Sequence, residues 1–293
     1  MNSQTYKILV TGANGQLGRC LQDKSRESQW AHHTYFFTDI DTLDICDMDQ
    51  VDSFVSKYAI DVIVNAAAYT AVDQAEEDVE AAYRLNCDAV DNLAAVSKHH
   101  GAYLVHISTD YVFKGDVCRP HEETEALDPQ SVYGKSKAAG EDAIRKSGCK
   151  ATIIRTSWLY SEYGHNFVKT MLKLGAERQH VTVVCDQLGG PTCAGDLAQV
   201  ILQAVEVNHN KHEVQTYHFA NEGCISWYDF AQAIMEIAKK NCKVYPIFTH
   251  EYPAKAPRPS YSAFNLSKIK RELGIDIPYW RESLALTINK LQG

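Results

Sequence analysis

One stretch constrains this chain more than any other. Tyr6-Lys7-Ile8-Leu9-Val10 runs into Thr11-Gly12-Ala13-Asn14-Gly15-Gln16-Leu17-Gly18, and a helical pattern follows from Arg19. The apolar run reads as a buried strand, and the glycines predict a tight turn into a helix start. Such a turn lets a ligand approach the backbone and offers free N–H groups to a pyrophosphate. The spacing is Gly-x-x-Gly-x-x-Gly, not Gly-x-Gly-x-x-Gly, so the dinucleotide fingerprint is matched in part. The competing reading is an ordinary strand–helix loop.

The following segments keep alternating. A second strand at 34–38 ends at Asp39. An acid about twenty residues past such glycines accepts the adenosine ribose hydroxyls, and its charge favours NAD. Asp44-Ile45 is a candidate for the adenine edge, unless Asp44 caps the helix read over 48–58. A third strand at 61–65 carries Ala66-Ala67-Ala68-Tyr69-Thr70 at its carboxyl end, where small residues let a cofactor lie against the backbone. A helix at 80–99, strands at 103–108, 151–155, 181–184 and 217–220, and a helix at 193–205 complete the pattern. This predicts an α/β fold with a Rossmann-type doubly wound parallel sheet. Helices read at 227–240, 266–273 and 280–291 suit a smaller substrate-binding lobe. The expected division is 1–165 plus about 192–222 for the dinucleotide-binding domain, and about 166–191 plus 223–293 for the lobe. No linker or repeat separates them, so the two are interleaved.

A net charge of −8 argues against a general binder of nucleic acid or of anionic membranes. No apolar run approaches the roughly 18–20 residues of a membrane span, and Met1-Asn2-Ser3-Gln4 does not resemble a signal peptide. Nine scattered cysteines without a Cys-x-x-Cys pair fit reduced thiols. The expectation is a soluble, cytoplasmic protein. His32-His33 and His99-His100 read as solvated pairs.

Chemistry enters with Tyr133-Gly134-Lys135-Ser136-Lys137. On a helix, Tyr133 and Lys137 share one face, and an ammonium near a phenol lowers the phenol pKa toward a usable range. Thr109, at the end of the 103–108 strand, stands where it could bond the same substrate oxygen. Tyr-x-x-x-Lys alone occurs as readily on an amphipathic surface helix.

The glycine turn, Asn65-Ala66-Ala67-Ala68, Ser108-Thr109-Asp110 and Tyr133-x-x-x-Lys137, in this order, change that balance. Together they resemble the extended short-chain dehydrogenase/reductases over nearly the whole chain. Within that group, five strings are similar to those of the dTDP-4-dehydrorhamnose reductase family. They begin at Asn65, Ser108, Val132, Arg155 (Arg155-Thr156-Ser157-Trp158-Leu159-Tyr160) and Asp186. The resemblance implies reduction of a dTDP-linked 4-keto sugar by NADPH, with NADH also accepted. Tyr133 would be the proton donor, Lys137 would hold the nicotinamide ribose, and Thr109 would bond the same oxygen. Asp110, Trp158 and Val72 would contact the substrate. Gly12, Gly15, Gln16, Leu17 and Gly18 would line the pyrophosphate, and Asp39, Asp44 and Ile45 the adenosine. Ala67, Ala68, Tyr69 and Thr70 would lie along the cofactor further in. Arg258, in Ala256-Pro257-Arg258-Pro259, is the candidate for the substrate diphosphate, or else a surface arginine in a proline-rich loop.

Some relatives are magnesium-linked dimers held through glutamates. The matching positions here are Cys20 and Gly195, so no structural metal is expected, and a monomer and a homodimer both remain open. The Asp-Glu pair of the related 4,6-dehydratases is missing, because Tyr111 follows Asp110. An epimerase stays possible on the same fold, as does a non-catalytic regulatory role like that of the methionine adenosyltransferase beta subunit.

Overall fold

Strand β1 (Lys7–Thr11) is apolar on both faces, and it takes an interior place in a sheet covered on both sides. The computed structural model describes residues 4–293. The other leading strands are β2 (Thr34–Phe37), β3 (Val62–Asn65), β4 (Tyr103–Thr109) and β5 (Ala151–Thr156). With the Gln215–Phe219 strand at one edge, the spatial order is 215–219, β5, β4, β3, β1, β2, all parallel. The doubly wound sheet expected from the alternation is therefore present. The order reverses between β1 and β3, and ligands of such sheets sit beyond the carboxyl ends at that switch point.

Alternation along the strands separates two apolar layers. Ile8, Val10, Val62 and Val64 pack with Leu17 and Leu21 of the Gln16–Ser25 helix and with the Ala194–Asn208 helix. Leu9, Ile63 and Leu104 face the opposite way, onto Val51, Val55 and Leu93. A third cluster around Val168, Phe230, Ile234 and Leu284 forms a separate apolar core. Among the described residues, no helix is long and apolar enough to cross a membrane.

Two local departures from the expected elements have clear causes. The helix read over 227–240 ends at Ile237, and Lys239 turns into the left-handed region at φ 52°. Lys243–Ile247 then forms a strand parallel to His180–Val184, a pairing concealed in the sequence by Pro246. The helix read over 80–99 is interrupted by a π-helical turn at Arg84–Asp88. That turn aims the buried Asn86 amide at the backbone of Tyr69, which it bonds at both N–H (2.9 Å) and C=O (3.0 Å).

The Val132–Ser147 helix is tied to the sheet through Glu141, whose carboxylate is fully buried. It accepts from Ser108 Oγ at 2.6 Å, from Arg155 Nε and Nη2 at 2.9 and 2.8 Å, and from Arg145 at 2.9 Å. These bonds, led by Arg155, outweigh burial and hold the Glu141 pKa below its ordinary value. Its stabilisation is thus present above the ordinary glutamate range and lost as pH falls below that range. Glu141→Ala strands the Arg155 guanidinium without its charge partner, and is expected to cost about 3–5 kcal/mol in urea unfolding at neutral pH. A loss under about 1 kcal/mol would show that Arg155 finds another acceptor.

Candidate active site

The carboxyl ends of β1, β3, β4 and β5 open into a cleft of about 530 Å³. Its floor begins at the glycine turn. Gly12 sits at φ 66°, and a Cβ there would lie 2.7 Å from the Ala67 Cα. A Cβ on Gly18 would meet the Gly12 carbonyl at 2.3 Å, so β1, β3 and the first helix approach one another only through glycine. Gly15 caps that helix with no side chain in place. A Cβ on Gly15 would meet only the Gly12 oxygen, at 3.3 Å, so the space before the helix start is clear for a ligand oxygen. A pyrophosphate fits this cradle.

Gly15, Gln16, Leu17, Ala67, Ala68, Thr70 and Val72 line the cleft as expected from the sequence. Others of that set lie elsewhere. Asp39 accepts from the N–H groups of Asn14 and Ile40, both at 2.9 Å, and thereby fastens the glycine turn to the end of β2. Asp44 accepts from the Cys46 N–H, and the helix cap is Asp47. The Ile45 side chain belongs to the core behind the sheet, and the Tyr69 hydroxyl is buried without a partner.

The reacting constellation is compact. Ser131 caps the Val132–Ser147 helix by accepting from the Gly134 N–H at 3.1 Å, which presents Tyr133 and Lys137 to the cleft. Thr109 and Asp110 face them from the end of β4, and Tyr111 meets the Tyr133 ring edge-on with centroids 5.4 Å apart. The electrostatics differ from the expectation drawn from helical spacing. Lys137 donates to the Ile107 carbonyl at 2.6 Å, so its amine reaches toward β4. Burial pushes the Tyr133 phenol up to about 12, a bond with Thr109 working the other way. Burial pulls Lys137 down to about 8 against the attraction of Glu141. Desolvation thus wins over the Tyr–Lys pair, and Tyr133 stands ready as a proton-bearing phenol. Burial also raises Asp110 to about 6, although Thr109 Oγ1 donates to its Oδ1 at 3.0 Å.

Trp158 holds φ 47°, a conformation that a bulky residue adopts only when its surroundings enforce it. Its ring stacks on Trp227 with centroids 3.7 Å apart and planes inclined by 14°. Trp158 lines the cleft, while Trp227 lines a second cavity of about 350 Å³ with Gln187, Tyr252 and Arg258. The tryptophan pair is the wall the two share. Arg258 is already held by Asp73 in a two-pronged pair at 3.0 and 2.8 Å, and Asp73 also accepts from the N–H groups of Lys255 and Ala256. Lys255 pairs with Glu77 beside it.

Trp227, Asp73 and His106 escaped the sequence reading. Only His106 left a signal, as an imidazole set within the apolar run of β4. The paired histidines also need correcting, since His33 is buried. The Tyr6 N–H points at His33 Nδ1 (3.3 Å), which places the ring proton on Nε2, 3.0 Å from Glu206. With Nδ1 accepting, the His33 ring is neutral, and burial favours that state, so Glu206 faces a neutral imidazole with His32 alongside.

The family described as RmlD substrate binding domain matches residues 6–293. The chain belongs to this family. A dTDP-4-dehydrorhamnose reductase of Aggregatibacter actinomycetemcomitans is 42% identical over 286 residues, covering 95% of this chain and 97% of the relative. Crystal structures of dTDP-4-dehydrorhamnose reductases superpose over 98% of this chain and all of theirs. The one from Clostridium acetobutylicum has 40% identity and a TM-score of 0.92. The one from Bacillus anthracis, in complex with NADP, has 39% identity and a TM-score of 0.91. In this RmlD-family chain the Trp158 stack depends on a bare backbone opposite it, because a Cβ on Gly189 would lie 2.9 Å from Trp158 Cε2 and 2.6 Å from Ser262 Oγ. Gly189→Ala is expected to push the two indoles apart at a cost of about 1–3 kcal/mol. Near-ultraviolet circular dichroism reports the stack, and an unchanged spectrum would show that Ser262 alone absorbs the methyl group.

Proposed function

We propose that this chain reduces the C4 keto group of dTDP-4-dehydro-β-L-rhamnose to dTDP-β-L-rhamnose, with NADPH as the preferred reductant and NADH also accepted. The observation that carries this reading is that Tyr133, Lys137 and Thr109 share one cleft that begins at the glycine turn. Family membership supplies the substrate class, and the NADP complex of the Bacillus anthracis relative supports the cofactor.

The nicotinamide, when bound, supplies the hydride. The chain does the rest. The helix start at Gln16 and Leu17 takes the pyrophosphate, while Ala67, Ala68 and Thr70 carry the cofactor across the sheet end. Tyr133 gives its proton to the C4 oxygen as hydride arrives at C4, and Thr109 steadies the same oxygen by a hydrogen bond. Lys137 holds the ribose, and Asp110, Val72 and Trp158 hold the sugar. Arg258 takes the diphosphate by exchanging its carboxylate partner, and Asp39 turns to the adenosine ribose. We read the two lobes with the boundaries given above, the protein as cytoplasmic and as a monomer or homodimer, and we assign it no structural metal.

The test is loss of nicotinamide absorbance on mixing protein, NADPH or NADH, and the keto sugar nucleotide. Tyr133→Phe is expected to bind NADPH as before and to lose about 10²–10⁴-fold in turnover. Full activity in that variant would remove Tyr133 as the acid. Cofactor binding without oxidation by the unaltered protein would favour the regulatory or epimerase reading. Asp39→Ala is expected to weaken NADH more than NADPH, and equal losses would refute its ribose contact.

A further inference from the structure

Beneath the cleft, one file of buried polar groups joins the active-site lysine to the glycine turn. Lys137 Nζ lies 3.3 Å from Nε2 of His106. Nδ1 of the same ring lies 3.2 Å from Nδ2 of Asn65. The Asn65 Oδ1 accepts from Thr11 Oγ1 at 2.8 Å and from the backbone N–H of Ala67 at 3.2 Å. Asn65, His106 and Lys137 are all at most 2% exposed, so these groups must satisfy one another.

Donor polarity runs one way along the file. A backbone N–H only donates, so Ala67 fixes the amide oxygen of Asn65 toward itself and turns the NH₂ toward His106. An NH₂ only donates, so Nδ1 of His106 carries the lone pair and Nε2 of the neutral ring carries the proton. Burial, followed by the Lys137 charge, keeps the ring neutral. The Nε2–H therefore points at Lys137. A free amine accepts that bond while donating to the Ile107 carbonyl, whereas an ammonium has no lone pair and sets donor against donor.

We propose that Asn65 and His106 are positioning residues that orient Lys137 and, by presenting an N–H to its nitrogen, favour its free amine over its ammonium. The proposal rests on the reading of Tyr133 and Lys137 as the working pair. The ionisable groups around this amine are Tyr133 and Glu141 on its own helix, His106 on β4 and Asp110 just past it. From β5, Arg155 reaches Glu141. Glu141, the acid that favours the ammonium, is already saturated by Ser108, Arg155 and Arg145. The downward pull of burial on Lys137 acts in the same direction as the His106 N–H. Activity that requires the ammonium then declines near pH 8 instead of near the ordinary lysine value of about 10.4.

The whole chain carrying ¹⁵N-histidine and ¹³C-lysine tests this by NMR. The His106 signals are identified by their absence in His106→Gln or, if that variant does not fold, by contacts to β3 and β4. The expected finding in the unaltered protein is a proton on Nε2, and a proton on Nδ1 would overturn the proposal. Asn65→Asp is nearly isosteric and still accepts from Thr11 and Ala67, but it also accepts from Nδ1–H. It is expected to move the His106 proton to Nδ1 and raise the Lys137 midpoint, with the alkaline limb of kcat/KM, by about one pH unit or more. An unmoved Lys137 midpoint despite the tautomer switch would also overturn it. If Asn65→Asp does not fold, the tautomer in the unaltered protein decides. Both NMR readings need no substrate, so they stand apart from any failure of the proposed reaction.

Discussion

Glu141 is the point on which the site depends. It lies one helical turn beyond Lys137 and two beyond Tyr133, and it binds at once to β4 through Ser108 and to β5 through Arg155. The register of the helix against the sheet, and so the place of the phenol, is set by that carboxylate. Apolar packing alone would let the helix slide, because leucine-like contacts are non-directional. A buried ion pair with four donors does not slide, since any displacement leaves a charge unpaired in a low-dielectric interior.

Burial also decides the chemistry of the groups that this anchor positions. Tyr133 and Asp110 are pushed up and Lys137 is pulled down, each with desolvation as the leading cause. The site therefore presents a protonated phenol, a lysine drawn below its ordinary range and a carboxyl raised above its own. Helical spacing points the other way, because it counts the neighbouring charge and cannot count the water removed. Pairwise attraction between exposed charges is worth little, and the loss of solvent around a buried one is worth more.

Much of the architecture was legible in the chain itself. Period-2 and period-3.6 patterns located the strands and helices, and Thr109, Tyr133, Lys137 and Trp158 do share one cleft. Three features were not legible, each for a physical reason. The Lys243–Ile247 strand carries Pro246, which a two-stranded edge tolerates and a central strand does not. Trp227 looks like any helix-opening aromatic until Trp158, 69 positions earlier, is folded against it. Ile45 and Tyr69 sit at the expected sheet end, but Ile45 turns into the core and Tyr69 buries its hydroxyl outside the cleft lining. Sequence fixes which end of a strand a residue occupies, and packing fixes the side it shows.

The pair between Arg258 and Asp73 ties the 255–258 loop to the short segment just past β3. Its guanidinium is already paired, so under the proposed function a diphosphate at Arg258 would trade places with a carboxylate instead of adding a new ion pair. On that reading the second cavity would work as an ion exchanger. Released from Arg258, Asp73 would keep the N–H groups of Lys255 and Ala256, so the 255–256 loop would stay tied to the segment past β3 while the site loads. Since one anion would replace another, the net electrostatic gain would be small, and discrimination would rest on shape and on the second phosphate that a single carboxylate cannot imitate.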